Sequence, residues 1–332
     1  MSLRVIKSGA FDLIQDLGRY GFQYLGINPG GAMDIVAAQV ANMLVGNEVN
    51  DAIIELHFPS SSFLFEQDAV IALSGGDFGA VCNNYSLPLN TPAVVRKYSL
   101  LQFTKHTSGA RCYLAVKSGF DIPKWLSSYS THLKAKAGGF HGRCLSKDDE
   151  LPIRKNDDFT GQLKGKDCLV LPWKADIASL YSAQKTIRIC SGAQYDSLTD
   201  SSKKQLFSSA FMITNQSDRM GYRMEGESLE LLHRVELVSS AVTSGTIQLL
   251  PNGQMIILMA DHQTTGGYPA IAHVINADFP LLAQRLPNEM IEFQLIDHSE
   301  AEELLWQQHH HLHVLQNACT FQLTKFFEKH AH

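Results

Sequence analysis

The first third of the chain is a series of short apolar runs, each followed by turn residues. Five runs of three to five residues are separated by Gly, Asn, Pro and Ser: Phe63–Phe65, Val70–Leu73, Ala93–Val95, Leu100–Phe103 and Cys112–Val116. Runs of this length and composition are typical of β-strands. Their close spacing predicts a barrel or sandwich rather than a doubly wound sheet.

The period of the apolar positions becomes helical in three places. The clearest helix follows a double glycine and ends at Gly46, with one apolar face formed by Ile35, Val36, Val40, Met43 and Leu44. A second helix is predicted over Phe279–Leu286, and a third begins at the capping-box pattern of Ser299 to Glu302. The chain is therefore predicted to be mainly β with a few helices.

A polar segment follows the apolar run Met255–Ala260, which predicts a buried strand. Residues 261–269 read Asp-His-Gln-Thr-Thr-Gly-Gly-Tyr-Pro, so carboxylate, amide and hydroxyl groups emerge where this strand ends. Gly266 and Gly267 allow positive φ and close approach by a ligand. A tight strand connection with locally satisfied polar groups explains the same residues, and spacing alone does not separate the two interpretations.

Three further residues in the first half lie in glycine-bearing segments where an anion could bind. Arg19 follows Asp16-Leu17-Gly18, and it either pairs with Asp16 or presents its guanidinium to a carboxylate or phosphate. Asp34 either caps the first helix or belongs to an anion site behind the double glycine. Arg143 ends a polar stretch that begins at Ser127 and predicts a long loop or surface hairpin.

The second half adds two arginines and a glutamine whose roles the sequence leaves open. Arg219 and Arg223 flank Gly221, so both could reach an anion or both could pair with acids such as Glu225. Gln248 is polar inside an apolar segment and needs a partner if it is buried. His309 and His313 lie one helical turn apart, but a solvated helix face is the expected role, and we predict no metal site.

Composition and charge narrow the class of protein. The chain has 332 residues, a formal net charge of −5 and a pI near 6.3, without a Lys/Arg cluster, which argues against nucleic-acid binding. No apolar run approaches the length of a membrane span, so we expect no membrane association and a cytoplasmic location. Six scattered cysteines without Cys-x-x-Cys spacing favour reduced thiols. No P-loop pattern occurs, so any nucleotide is expected to bind by another motif or on a partner.

The chain shows faint internal repetition around a predicted domain junction. Residues 145–180 are rich in Lys, Asp and irregular sequence. Beyond them, Ser191-Gly192-Ala193 repeats the earlier Ser8-Gly9-Ala10 after a similar apolar run. Such repeats suit a duplicated barrel, and we predict an N-terminal domain over residues 1–178 and a C-terminal domain with the terminal helix over residues 179–332.

Seven motifs in order resemble those of one protein family. The resemblance extends from near residue 5 to near residue 300. Its motifs are Gln15–Arg19, Gly31–Asp34, Ser127–Thr131, Gly138–Arg143, Ser217–Gly221, Gly245–Gln248 and Asp261–Pro269. On these residues the chain is similar to the biotin-dependent carboxyltransferase-like family, also called the allophanate hydrolase subunit 2 family, which includes the PxpC (KipA) group of bacterial 5-oxoprolinase subunits. The resemblance implies two cyclophilin-like β-barrel domains.

The resemblance also implies a function. The 5-oxoprolinase members act with PxpA-type and PxpB/KipI-type subunits and use ATP to open the lactam of 5-oxo-L-proline to L-glutamate, so we expect this chain to be inactive alone. On this hypothesis the catalytic residues are Asp261, Gln263 and Thr264, which position the reacting amide. The expected substrate-binding residues are Arg19, Asp34, Arg143, Thr265, Gly266, Gly267 and Tyr268, with the backbone amides of 265–267 stabilising oxyanion charge.

Two different functions are implied by relatives in the same family. The first is carboxyl transfer from carboxybiotin to urea or a related amide. Because the chain has no Ala-Met-Lys-Met attachment sequence, biotin would have to arrive on another protein. The second is regulation, in which the chain antagonises a PxpB/KipI-type kinase inhibitor. A neighbouring gene for a PxpA-type chain favours oxoprolinase, and a neighbouring biotin carboxylase favours carboxyl transfer.

Overall fold

The computed structural model describes residues 2–154, 159–181, 186–233 and 237–328. Contacts between Cα atoms divide the chain into two compact units. The first unit comprises Met1–Arg19, Asp34–Ile177 and His310–His332, and the second comprises Tyr20–Met33 and Ala178–His309. The domain boundary predicted between residues 178 and 179 remains a prediction.

Within the described residues, the first unit is built from strands, two complete helices and the C-terminal part of a third helix. Its strands in chain order are β1 (Ser2–Lys7), β2 (Leu13–Gln15), β3 (Ile53–Leu56), β4 (Ser62–Phe65), β5 (Ala69–Asp77), β6 (Ala80–Cys82), β7 (Tyr85–Ser86), β8 (Pro92–Val95), β9 (Leu100–Phe103), β10 (Ser108–Val116), β11 (Glu150–Pro152) and β12 (Cys168–Val170). The helices are α1 (Ile35–Val45) and α2 (Thr160–Leu163). All five apolar runs predicted as strands in this region are strands.

The strands of the first unit form two six-stranded sheets within the described residues, in the orders β11-β1-β4-β9-β6-β7 and β12-β8-β5-β10-β3-β2. The long pair β5 and β10 is antiparallel and sets Leu73 opposite Leu114 and Ile71 opposite Val116. Side chains from both sheets meet in one core that includes Leu3, Phe63 and Leu114. Because successive side chains of a strand point to opposite faces, strands such as β3 and β8, which are buried over their whole length, are covered on both faces.

Helix α1 has the boundaries that its sequence predicts. Asp34 is its N-cap, and the Asp34 Oδ1 accepts a hydrogen bond of 2.9 Å from the Ala37 amide. Gly46 ends the helix with a φ of 74°, a left-handed conformation that glycine adopts without a steric penalty. The helix is buried along most of its length, which explains why apolar residues extend beyond a single face.

The second unit contains a closed barrel. Its strands are β13 (Thr186–Ser191), β14 (Phe211–Ile213), β15 (Gly221–Glu225), β16 (Ser240–Ala241), β17 (Thr246–Leu249), β18 (Met255–Leu258), β19 (Thr265–Gly266), β20 (Ala270–Val274) and β21 (Met290–Leu295). Barrel order is β13-β20-β17-β18-β15-β14-β21, and β16 pairs with β19 separately. The prediction of a mainly β fold with a few helices is confirmed.

The remaining helices are α3 (Asp200–Ser208), α4 (Phe279–Ala283) and α5 (His298–Glu328). Helix α4 ends before the predicted Leu286, since the Arg285 amide donates to the Leu282 carbonyl three residues back and the four-residue helical pattern does not continue. Helix α5 is capped by Asp297, whose Oδ1 accepts from the Glu300 amide at 2.8 Å. The cap therefore precedes the predicted start at Ser299. Across the described residues, no helix is both long and apolar enough to cross a bilayer.

Candidate functional site

A buried ion pair anchors the predicted site loop in the second unit. Strand β15 pairs antiparallel with β18, and the ladder continues beyond the strands because the Asp261 amide donates to the Arg219 carbonyl at 2.8 Å. This register sets the two side chains beside each other. The Arg219 Nε donates to Asp261 Oδ2 at 2.8 Å, and Nη2 donates to Oδ1 at 3.0 Å. A forked pair of this kind fixes the carboxylate in one orientation.

The same ion pair is tied to a turn that lies much earlier in the chain. The Arg219 Nη2 also donates to the Gly31 carbonyl at 2.6 Å, and the Asn28 Nδ2 donates to the Asp261 carbonyl at 2.8 Å. Residues 20–33 belong to the second unit, so these contacts join separate segments of one compact body. The side chain of Arg219 is 5% exposed and that of Asp261 is 19% exposed. The Asp261 carboxylate is thus a hydrogen-bond acceptor that is held in one orientation and is partly exposed to solvent.

His262 is a titratable group in the loop that the sequence interpretation did not select. Its ring is buried, and its Nδ1 lies 2.5 Å from the Gln263 carbonyl. Since a carbonyl oxygen only accepts, Nδ1 carries the proton and Nε2 holds the lone pair in the neutral ring. Burial lowers the pKa of His262, which favours the neutral imidazole at neutral pH. The only signal in the sequence is its place between two predicted site residues.

Gln248 explains why a glycine is needed at position 266. It lies in β17 and is 1% exposed, and its Nε2 donates to the Tyr268 carbonyl at 3.4 Å. A Cβ on Gly266 would lie 2.5 Å from this Nε2. Gly266 and Gly267 do not adopt the positive φ that glycine allows. Gly266 is required here because the Gln248 amide approaches its backbone closely.

Two of the three residues predicted to donate to an oxyanion, Thr265 and Gly266, lie in a short two-stranded ladder. Strand β19 pairs with β16, with Thr265 opposite Ala241 and Gly266 opposite Ser240. The Val242 amide donates to the Thr264 carbonyl at 3.2 Å. This ladder holds the loop backbone in place while Gln263 and Gly267 stay exposed. The segment therefore combines a fixed backbone with accessible polar groups.

A polar cavity of about 520 Å³ lies in the second unit beside this loop. Gln263 and Tyr268 contribute to its wall, as do Gln248, Arg223 and Asp218. Arg223 is exposed and has no ion-pair partner among the residues that the structure describes. Amide side chains can donate to and accept from another amide, and a guanidinium can hold a carboxylate. The cavity is therefore suited to a small polar molecule with both groups.

The other predicted site residues lie in the first unit, where each has a structural contact. Arg19 is 1% exposed, donates through Nη2 to the Ser130 carbonyl and stacks over Trp125 at 4.8 Å from the ring centroid. Arg143 forms a fork with Asp149 in which both distances are 2.7 Å. Asp34 caps α1. The substrate-binding roles of Arg19, Asp34 and Arg143 stay predictions.

Asp16 explains why two of the sequence motifs occur together. Its carboxylate accepts from the Ser128 hydroxyl at 2.7 Å, the Tyr129 amide at 2.6 Å, the Ser130 hydroxyl at 2.5 Å and the Gly18 amide at 2.8 Å. The Gln15–Arg19 turn and the Ser127–Thr131 loop are therefore one hydrogen-bonded structure. The sequence also allowed an ion pair between Asp16 and Arg19, and the hydrogen-bond partners of the carboxylate in the structure are hydroxyls and amides.

The histidines of α5 have the spacing that a metal site could use. His311 Nε2 lies 2.9 Å from the Asp176 carbonyl. Over the described ranges, there is no group of three or more His, Cys, Asp or Glu side chains arranged to hold a metal ion. The six cysteines are free thiols.

Comparison with known proteins identifies the family. Residues 25–295 match the family described as "Carboxyltransferase domain, subdomain A and B". The chain is 35% identical over 324 residues to the C subunit of 5-oxoprolinase from Escherichia coli, covering 92% of this chain and 99% of the relative. It is 36% identical over 299 residues to the C subunit of 5-oxoprolinase from Haemophilus influenzae, covering 90% and 92%.

Among solved structures, the urea amidolyase of K. lactis matches with a TM-score of 0.84 and 26% identity. The match covers 95% of this chain and 20% of that protein, so the similarity concerns one part of a much longer polypeptide. The sequence motifs, the barrel and these matches agree: the chain belongs to the carboxyltransferase domain, subdomain A and B family.

Proposed function

We propose that this chain is a subunit of an ATP-dependent 5-oxoprolinase, which hydrolyses 5-oxo-L-proline to L-glutamate together with PxpA-type and PxpB-type subunits. The observation that carries the proposal is the match to the C subunit of 5-oxoprolinase over 99% of that protein's length. The urea amidolyase match, by contrast, extends over only a fifth of its relative. The C subunit of 5-oxoprolinase, which has a similar length, is therefore a better guide to the function of this chain than one part of the longer urea amidolyase.

The reaction needs activation because amide resonance makes a lactam carbonyl a poor electrophile. Transfer of a phosphoryl group from ATP to the carbonyl oxygen creates a leaving group, and water then attacks the same carbon. The ring C–N bond then breaks, and the nitrogen takes up a proton to become the free amine. A second water hydrolyses the resulting acyl phosphate, which releases inorganic phosphate and leaves the carboxylate of glutamate. This chain has no P-loop, so the nucleotide is assigned to the assembled complex rather than to this subunit. Biotin has no part in this reaction.

In the second unit, Asp261, Gln263 and Thr264 would position the reacting amide. Because both oxygens of Asp261 accept from Arg219, its role is to orient rather than to abstract a proton. Gln263 is exposed and contributes to the polar cavity, where its amide can pair with the lactam N–H and C=O. The backbone amides of 265–267, of which Thr265 and Gly266 lie in β19, would stabilise oxyanion charge.

Arg223 is the arginine best placed to hold the carboxylate of the substrate in this cavity. The guanidinium of Arg143 is already engaged by Asp149 at 2.7 Å, and Arg19 is buried against Trp125. Arg223 is exposed and lines the same cavity as Gln263 and Tyr268. Replacing it with Met should raise the KM for 5-oxo-L-proline and leave kcat nearly unchanged, the pattern of a lost ground-state contact.

The test is release of glutamate and ADP from 5-oxo-L-proline and ATP by this chain co-purified with its PxpA-type and PxpB-type neighbours. We expect activity that disappears when this chain is omitted and that falls strongly in Asp261→Asn. Lys204→Met on α3 is the matched control for Arg223→Met, since it removes one exposed positive charge of the second unit that does not line the cavity. Full activity of Asp261→Asn in a well-formed complex would contradict the assignment of this residue.

Carboxyl transfer is the second candidate, and the TM-score of 0.84 with urea amidolyase favours it over regulation. It predicts that a complex without oxoprolinase activity transfers carboxylate from carboxybiotin, supplied on another protein, to urea or a related amide. Regulation through a PxpB/KipI-type partner is the third candidate. It predicts binding to that partner with neither activity.

A further inference from the structure

A cleft in the first unit lies apart from the residues proposed for the oxoprolinase reaction. Residues from α2 to Trp173 form one wall, and the last turns of α5 form the other. We call it the lysine cleft and define it by Gln162, Lys164, Lys166, Trp173, Lys325 and Phe326. Its volume is about 580 Å³, within the range of small-molecule sites, roughly 300–1,000 Å³.

The floor of the lysine cleft is apolar and partly aromatic. The rings of Trp173 and Phe326 lie 5.9 Å apart at an interplanar angle of 63°, an edge-on arrangement that orders both side chains. Leu163 and Val170 extend the apolar lining, and Val170 leaves 36% of its surface in water. A ring or short acyl chain placed here would remove wetted apolar surface, which favours binding.

The rim of the lysine cleft carries positive charge. Lys164, Lys166 and Lys325 are exposed, and none of them has an ion-pair partner in the part of the chain that the structure describes. One exposed lysine is ordinary on a protein surface. Three unpaired lysines around one apolar cleft produce a local positive potential that attracts an anion.

Two polar atoms of the lining residues have unused hydrogen-bonding capacity. The Trp173 Nε1 and the Gln162 Oε1 are buried and have no hydrogen-bond partner within the described residues. Buried polar groups are normally paired, so unpaired ones are candidates for contact with a bound molecule. The indole donor suits an anionic oxygen, which matches the charge of the rim.

We propose that the lysine cleft binds an amphipathic organic anion of small-molecule size, namely an aryl or acyl carboxylate or phosphate. Its apolar part packs on Trp173 and Phe326. Its anionic group lies among the three lysines and accepts from the indole nitrogen. This ligand differs from 5-oxo-L-proline, whose ring is small and polar, so the proposal does not depend on the proposed function.

The probe is 8-anilinonaphthalene-1-sulfonate, an aromatic anion, titrated against the full chain while its own fluorescence and tryptophan quenching are recorded. The test variant replaces Lys164, Lys166 and Lys325 with Gln. The matched control replaces the exposed Lys105, Lys134 and Lys147 with Gln, which changes the net charge equally. Thermal unfolding of each variant establishes that the fold is retained.

We expect binding of one probe per chain and a Kd that rises about tenfold in the cleft variant, since three rim charges each change affinity by about twofold. The control variant should stay within about twofold of the unmodified chain. Trp173→Phe keeps the apolar floor but removes the donor, so it should weaken binding and abolish most of the quenching. The uncharged analogue N-phenyl-1-naphthylamine should bind the chain and the cleft variant equally.

Equal binding of the sulfonate probe to the unmodified chain and to the folded cleft variant would overturn the proposal. The proposal also fails if the control variant weakens binding as much as the cleft variant, because the effect is then one of net charge. If probe binding is unchanged but the cleft variant no longer co-purifies with a partner protein, the surface binds an acidic protein segment, and the small-anion proposal is wrong.

Discussion

Replacement of Arg219 by Met tests whether the Arg219–Asp261 pair holds the site loop in place. The substitution keeps an unbranched side chain of similar reach but removes the hydrogen bonds to Asp261 and to the Gly31 carbonyl. It leaves a carboxylate that is only 19% exposed without its cation. The carbonyl of Gly31 also loses a donor at a buried position.

The expected cost follows from this geometry. Removing one partner of a buried ion pair destabilises a protein by roughly 3–5 kcal/mol. Because Asp261 retains some contact with water, we expect a value near the lower end, about 3 kcal/mol. Arg219→Lys restores the charge but not the fork, so it should recover about half of the loss. Arg223→Met removes an exposed arginine four residues away and should change stability by less than about 0.5 kcal/mol.

Hydrogen–deuterium exchange measures the effect locally. A loss of about 3 kcal/mol corresponds to a roughly 100-fold fall in protection and should appear in β15 and β18, on either side of the pair. Strands β5 and β10 of the first unit serve as an internal reference and should keep their protection. A fall of less than about fivefold in β15 and β18 of Arg219→Met would refute the reasoning, since the pair would then contribute little to local stability.

Three further predictions concern other buried groups. Burial raises the pKa of Asp12 from 3.8 to about 6, so the folded chain binds a proton that the unfolded chain has released. Stability should fall by about 2 kcal/mol from pH 4 to pH 7 through this group, and chemical denaturation of Asp12→Asn should lack that slope. Gly266→Ala should lower the Tm because the new Cβ would clash with the Gln248 side chain. Gly267→Ala should leave the Tm unchanged, since the atom nearest to its Cβ is 3.3 Å away. Equal Tm values for the two variants would contradict this prediction. Asp16→Ala should cost about 2–4 kcal/mol by removing a charged acceptor of four hydrogen bonds, and unchanged proteolysis of the 127–131 loop would count against it.

The parts of the fold that the sequence predicted depend on local patterns. The run Cys112–Val116 became most of β10 because apolar residues of high strand propensity lie between turn residues. Helix α1 was predictable at both ends because Asp34 and Gly46 are strong local capping signals. In each case the residues that decide the structure are close together in the chain.

The parts that the sequence did not predict depend on long-range register. Arg219 and Asp261 are 42 residues apart, and only the pairing of β15 with β18 brings them together. Likewise, the role of Gly266 is set by Gln248 on another strand, and the residues next to Gly266 in the sequence do not reveal this contact. The motif at 261–269 was visible in the sequence, but its electrostatic partner was not.

The way the two units share the chain has a consequence for biosynthesis. Residues 310–328 at the end of α5 belong to the first unit. There the ring centroids of Phe327 and Phe159 lie 5.4 Å apart, and Phe326 packs on Trp173. A ribosome makes this segment only after it has made the whole second unit. The first unit therefore begins to emerge first but is completed last, and during translation its nascent surface around Phe159 and Trp173 lacks the helix that later covers it.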